Sequence, residues 1–386
     1  MMASIPNHCS LHLRNSISST HRRTRSLSSS FGVSSAYRTV RTVTIPHSDL
    51  MDRSRDLSAK IEEGLGPDGL GIVSVSDVPD FSFLRQNLLQ LSPRVASLPD
   101  EVKSSLEDPK SRYNIGWSHG KEKLESGKLD TFKGSFYANP ILDVPTTDVS
   151  LMQRYASYCR PNKWPITALP ELEVAFKALG KVMLDVGLML AYHCDQYVSK
   201  AVPFDEDGGL EQILKRSRCH KGRLLFYFPK QRSQCMEDLG SVSSWCGWHT
   251  DHGSLTGLAC GMFMRNGVKV SSPDSAAGLY IKARNNEIVK VVFGEDELAF
   301  QIGETTEILS GGRLCATPHC VQAPRGEAAI GVDRSSFAMF MQPDWDENLQ
   351  FPAYIHHHGE LIPPNGRLTF GEYCEMLLNK YYHQKF

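Results

Sequence analysis

The sequence predicts a mainly β protein with flanking helices, an α+β chain. Three observations carry that reading. From about Leu214 onward the 386-residue chain turns to strand-like patterns. One long helical pattern, residues 170–197, stands ahead of them, and shorter helical patterns lie near both ends. Within the strand-rich part, Trp248-His249-Thr250-Asp251-His252-Gly253 places two metal-binding side-chain types two residues apart. Side chains alternate faces along a strand, so His249 and Asp251 are expected on one face and Thr250 on the other.

The elements follow in chain order. Residues 1–41 are rich in serine and arginine, and the first acidic residue is Asp49. A basic, hydroxylated, acid-poor start is the composition of an organelle transit peptide, here read as a chloroplast address, with mitochondrion or cytoplasm as alternatives. The first strand is expected over Thr42-Val43-Thr44-Ile45-Pro46, then an amphipathic helix over residues 54–63 with Leu57 and Ile61 on one face. Gly64-Leu65-Gly66-Pro67-Asp68-Gly69 matches G-x-G-x-x-G, but the order is helix, loop, strand. A dinucleotide fingerprint needs the reverse, so this is a helix-ending loop. A helix is expected from Phe81 to Leu91. The segment 121–125 reads as a solvated face, and Phe132, Phe136 and Tyr137 as packing or pocket aromatics.

In the long helix, Leu172, Phe176, Leu179, Met183, Val186 and Leu190 form one apolar stripe, with Glu171 and Glu173 at the positive end of the dipole. Residues 262–276 read as an extended hairpin or lid. His356-His357-His358 read as a solvated loop, since three consecutive residues cannot all face one ion. A last helix, residues 368–382, is expected to cover a pocket. The chain thus divides into 1–41, a helical and mixed region 42–210, a strand-rich region 211–345 and a C-terminal region 346–386.

Composition narrows the function classes. A net charge of −1 leaves no basic surplus for nucleic acid. No apolar run approaches the roughly 18 residues that span a membrane. The 10 cysteines form no C-x-x-C pair, which argues against a disulfide framework or structural zinc. The expectation is a monomer that handles a small molecule.

His249 and Asp251 can take two corners of one metal, and His319 is the best candidate for the third. Two histidines and one carboxylate on one face of an ion leave open positions, the arrangement that suits iron(II). The surrounding residues carry a resemblance. His249-Thr250-Asp251-His252-Gly253-Ser254-Leu255-Thr256 resembles the H-T-D-x-G-x-L-T signature of isopenicillin N synthase-like iron(II)/2-oxoglutarate dioxygenases. In family order follow Ala277-Gly278-Leu279-Tyr280-Ile281, Gln301-Ile302-Gly303-Glu304, Ile308-Leu309-Ser310-Gly311-Gly312-Arg313, Ala316-Thr317-Pro318-His319, and Arg334-x-Ser336. Earlier, Leu98-Pro99-Asp100-Glu101-Val102-Lys103 and Tyr113-Asn114-Ile115-Gly116-Trp117-Ser118 are similar to family segments.

The resemblance implies a distorted double-stranded β-helix, or jelly-roll, core. It implies iron held by His249, Asp251 and His319, 2-oxoglutarate held at its distal carboxylate by Arg334 and Ser336, oxygen as oxidant and ascorbate as an auxiliary reductant. The implied reaction is oxidation of a small organic metabolite with 2-oxoglutarate decarboxylated to succinate. A same-fold oxidase without 2-oxoglutarate, and a non-catalytic binding protein, stand as alternatives. Arg223-Leu224-Leu225-Phe226-Tyr227-Phe228-Pro229 departs from the family's R-L-N-Y-Y-P strand. Aligned from Pro229, Phe226 and Phe228 replace two polar residues that commonly help hold the co-substrate, so a more apolar pocket is expected there. His319 is followed by Cys320 where the family usually has arginine.

Overall fold

A computed structural model describes residues 37–122, 129–202, 208–229, 244–352, 355 and 357–382. Two twisted sheets dominate it. The smaller is ordered β1 (Thr39–Arg41), β11 (Ile288–Val292), β10 (Gly278–Lys282), β13 (His319–Gln322), β7 (Ser244–His249). The larger is ordered β2 (Val43–Pro46), β3 (Ile72–Ser76), β12 (Leu298–Ile302), β8 (Leu255–Arg265), β14 (Val332–Met341), β6 (Lys221–Tyr227), β5 (Lys133–Ala138), β4 (Gly116–His119), with β9 (Val268–Val270) paired to β8. Their inner faces meet. Ile72, Leu258 and Ala299 of the large sheet pack with Leu279, Ile281, Val289 and Val291 of the small one. Leu225, Tyr227 and Phe263 pack with Trp245 and Val321. This is the expected jelly roll with flanking helices.

The long helix, Glu171–Ser199, lies on the outer face of the large sheet. Its whole predicted stripe is buried. Phe176 meets Phe337 of β14 edge to face, with ring centroids 5.0 Å apart. Leu224 and Phe226 of β6, Phe136 of β5 and Met339 of β14 join the same cluster. Each such side chain contributes about 1.5–3 kcal/mol by leaving water, so this face is the main store of stability.

Several boundaries moved. The folded chain begins before residue 42: β1 pairs in parallel with β11 through Thr39, Val40 and Arg41. The chain then crosses to the large sheet at Thr42, whose amide donates to the Val292 carbonyl. The expected leader segment to residue 41 therefore takes in the whole of β1, and residues 1–36 lie outside the described residues. The helix expected at residue 54 starts at Ser58, because Asp52 and Asp56 accept from the amides of Ser54 and Ser58 and hold turns instead. The helix expected to Leu91 ends at Leu89 and a second short one, Ser92–Ala96, follows. Strands from both sides of residue 210 join one sheet, since β2 to β5 lie in the same sheet as β6 and β8. The extended hairpin is present: β8 and β9 are joined at Asn266-Gly267, both with positive φ.

At the C-terminal end, the helix Phe370–Tyr382 packs on Ile308, Trp345 and Tyr158. It buttresses the site loop from the side: the Tyr373 hydroxyl donates to Glu304 Oε2 at 2.7 Å. The histidine run departs from a solvated loop. His356 lies outside the described residues, as does most of 121–125, but His357 reaches Glu307 at 3.1 Å and His358 reaches Glu304 at 3.4 Å. Two half-buried imidazoles there face two buried carboxylates. No disulfide joins two cysteines among the described residues, and no described helix is long and apolar enough to cross a membrane.

Candidate metal centre and inner wall

β7 ends at His249, so Asp251 sits on the loop that follows rather than on the strand. The two side chains still converge, because the loop is pinned to the end of the large sheet. The Glu304 amide donates to the Asp251 carbonyl at 2.7 Å, and the Ser254 amide to the Met341 carbonyl at 3.0 Å. Gly303 permits this docking, since a Cβ there would strike the Gly253 carbonyl. β13 lies beside β7 with His319 directly across from His249.

The result is one cluster. Asp251 Oδ1 is 3.6 Å from His249 Nε2 and 4.0 Å from His319 Nε2. It is the group of three such side chains, among the described residues, whose donor atoms lie close enough to share an ion. Donors up to about 4 Å apart can share one cation held at about 2.0–2.2 Å from each. The orientations suit that role. His249 Nδ1 is 2.8 Å from the Gly247 carbonyl, which fixes the proton there and turns Nε2 toward Asp251. Thr256 donates to Asp251 Oδ2 at 2.5 Å, leaving Oδ1 to the histidines. His319 Nδ1 lies 2.9 Å from the Gln301 side-chain amide and 3.3 Å from the Thr317 carbonyl. With the Gln301 amide turned so that its oxygen faces His319, Nδ1–H sits between two acceptors and Nε2 keeps its lone pair for a metal.

Burial opposes charge on all three groups. His249 is nonetheless held well above the ordinary imidazole range, by Cys246 and Asp251 beside it. The Asp251 carboxyl is held well below its ordinary range, against burial, by His249, His319 and Thr256. His319 is pushed down to about 4, by burial first and His249 second. At neutral pH the cluster thus presents a carboxylate and a neutral imidazole, and a cation would take the place of the proton on His249.

Arg334 and Ser336 project from β14 into the same barrel, with Arg334 Nη1 3.5 Å from Ser336 Oγ. Three aromatic rings surround the guanidinium: Tyr227 and Trp245 at 5.2 Å and Phe263 at 5.9 Å from its carbon. Gly261 leaves it room, since a Cβ there would collide with it. The buried Arg85 holds the adjoining bulge, donating to the Cys260 carbonyl at 2.7 Å. Among the described residues Arg334 pairs with no carboxylate. An aromatic cage without a counter-ion is a place for an incoming anion.

Register corrects the expectation for Phe226 and Phe228. Directly paired antiparallel residues share a face, and Arg334 pairs with Tyr227, Ser335 with Phe226, and Ser336 with Leu225. The inward residues of β6 are therefore Arg223, Leu225 and Tyr227. Phe226 packs outward into the core under the long helix, edge to face with Phe228 at 4.9 Å. The two phenylalanines do not line the wall. Sequence reasoning also missed Gln301, Tyr227, Trp245 and Phe263 as site residues. Thr256 was visible as the last letter of the H-T-D-x-G-x-L-T motif, and Gln301 and Tyr227 lie in segments that resemble the family's without a role having been read for them; Trp245 and Phe263 carry no local signal.

No family model matches the sequence, and no curated protein matches it. Solved structures do resemble the fold. The chain is similar to a full-length Neurospora crassa protein solved in complex with alpha-KG, at 17% identity and TM-score 0.63 over 87% of this chain and 95% of that one. It is similar to JOX2 in complex with 2OG, Fe and JA, at 15% identity and TM-score 0.56 over 89% and 86%. The rice dioxygenase for auxin oxidation follows at 17% and 0.54 over 87% and 95%. At such identities the likeness is one of fold.

Proposed function

We propose that this protein is an iron(II)- and 2-oxoglutarate-dependent oxygenase acting on a small organic molecule. The observation that carries the reading is the convergence of His249, Asp251 and His319, from β7, the loop after it and β13, into one half-buried cluster inside a jelly roll. Bound iron and 2-oxoglutarate would supply oxygen activation coupled to loss of carbon dioxide from the co-substrate, which leaves as succinate.

The chain's own residues have separate tasks. His249, Asp251 and His319 hold the ion. Thr256 and Gln301 aim two of them. Arg334 takes the distal carboxylate of 2-oxoglutarate in a bidentate pair, Ser336 adds a hydrogen bond, and Tyr227, Trp245 and Phe263 keep water from that pair. The fold relatives support the same reading: the Neurospora crassa protein was solved with alpha-KG, JOX2 with 2OG and Fe, and the rice protein is a dioxygenase.

The deciding experiment is anaerobic titration of iron-loaded protein with 2-oxoglutarate, following the charge-transfer band of the chelate. Wild type should develop the band; His249→Ala, Asp251→Ala and His319→Ala should lose iron while their far-ultraviolet circular dichroism is kept. A wild type that binds iron but forms no chelate would favour an oxidase that does not use 2-oxoglutarate. Retention of iron by all three variants would end the triad assignment. A plastid address in the acid-poor N-terminal segment belongs to the proposal as well, and a fluorescent fusion of that segment that stays cytosolic would remove it.

A further inference from the structure

The inner wall carries a second set of charges that the metal and 2-oxoglutarate do not use. In register across β14, β6 and β5, Arg334 stands in a row with Tyr227 and Lys133, Ser336 with Leu225 and Ser135, and Ala338 with Arg223 and Tyr137. Arg223 and Lys133 thus face the same interior as Arg334. Both are largely removed from solvent, with side-chain exposures of 16% and 8%. They converge on one carboxylate, that of Glu122, from the segment after β4. Arg223 Nη2 is 2.6 Å from Glu122 Oε1, Lys133 Nζ is 2.9 Å from Oε2, and the Tyr137 hydroxyl donates to Oε1 at 3.2 Å. Ser135 Oγ accepts from Arg223 Nε at 3.0 Å and fixes the fork. The cluster lies toward the metal side of the barrel: Tyr227, in register with Lys133, stacks on Trp245 of β7 with ring centroids 4.5 Å apart, and β7 ends at His249.

Charge counting says what the cradle fits. Lys133 has a second partner, Asp130 at 3.3 Å, which is itself anchored by the Phe132 amide. Two cations face two carboxylates. If Glu122 swings out, Lys133 keeps Asp130 and the wall is left with one net positive charge and three aimed donors. A buried guanidinium in that state is costly until one anion replaces the lost one.

We propose that Arg223, Lys133 and Tyr137 form the specificity site for a single carboxylate on the substrate, with Glu122 as its stand-in within the chain. This rests on the oxygenase reading, and it narrows the substrate class to small monocarboxylic acids whose oxidisable carbon then points toward the metal cluster.

The test uses the full chain loaded with manganese(II), which binds without turnover, and saturated with N-oxalylglycine, an unreactive 2-oxoglutarate analogue that occupies Arg334. Melting temperatures are read against phenylacetate, cyclohexylacetate and hexanoate, each beside its primary amide. The acids should stabilise wild type and the amides should not. Arg223→Gln should weaken acid binding by about tenfold or more, the loss of one charge-assisted hydrogen bond. Glu122→Gln should tighten it by about tenfold, because the rival carboxylate is gone. A merely structural ion pair predicts the reverse for Glu122→Gln, and that variant keeps the test alive if Arg223→Gln does not fold. Equal effects of acids and amides, no effect of any acid on wild type and Glu122→Gln, or weaker acid binding in Glu122→Gln would overturn the proposal. So would loss of the N-oxalylglycine shift in Arg223→Gln, which would make this the co-substrate site. Failure of N-oxalylglycine to bind wild type would instead count against the oxygenase reading, and the acid–amide comparison without it still decides the cradle.

Discussion

The two faces of the strands β6 and β14 differ in kind. The outer face presents Leu224, Phe226, Phe337 and Met339 to the long helix and is apolar apart from the buried Ser335. The inner face of the same two strands presents Arg223, Tyr227, Arg334 and Ser336. Successive residues, a few ångströms apart, serve opposite ends. The outer face lowers the free energy of the folded state; the inner face places charges where water is scarce, which costs stability unless each has a partner, Glu122 for Arg223 and an incoming anion for Arg334. The difference teaches that a substitution on these strands should affect either folding or ligand binding, according to which of the two alternating faces its position occupies.

The largest expected effect is on the outer face. Phe337→Ala should lower the unfolding free energy by about 3–5 kcal/mol, read by urea denaturation, with metal affinity unchanged in the protein that remains folded. A loss below about 1 kcal/mol would mean the helix–sheet contact is not where stability resides.

Phe226→Asn sharpens the comparison most. It installs the residue that alignment from Pro229 would favour, yet it places a buried amide under the helix. It should cost at least about 3 kcal/mol of stability and leave 2-oxoglutarate affinity as it was. Tighter co-substrate binding in this variant would show that Phe226 faces inward after all.

Arg334→Ala, on the inner face, should weaken 2-oxoglutarate binding about a hundredfold, from two charge-assisted hydrogen bonds lost, with little change in urea midpoint. Gln301→Leu should reduce iron(II) affinity about tenfold by releasing the His319 ring, and Gln301→Glu should restore most of it. The nitrogen-15 shifts of His319 in zinc-loaded protein would report the tautomer directly. Ser336→Ala should cost least, about 0.5–1.5 kcal/mol of 2-oxoglutarate affinity by the same titration, since it removes one neutral donor. If Ser336→Ala proved as damaging as Arg334→Ala, the guanidinium would not be the main anchor.

What the sequence determined by itself was whatever is written in short spacing. His249-x-Asp251, Arg334-x-Ser336 and Thr256 belong to local motifs, and the stripe from Leu172 to Leu190 has the period of a helix, so each was legible without neighbours. Even there, the premise that placed His249 and Asp251 on one strand was wrong in detail, because the strand ends at His249 and the docked loop does the rest. The tertiary structure alone decided which face of β6 looks inward. Pro229 lies beyond the end of that strand, so counting back from it gave a register one residue out, and one residue exchanges the two faces completely. It alone brought Gln301 to His319, three aromatic rings to Arg334, and Glu122 between Lys133 and Arg223. Those partners are up to about a hundred positions apart in the chain, and hydrogen bonds and charge act over distance in space, for which spacing in sequence carries no record.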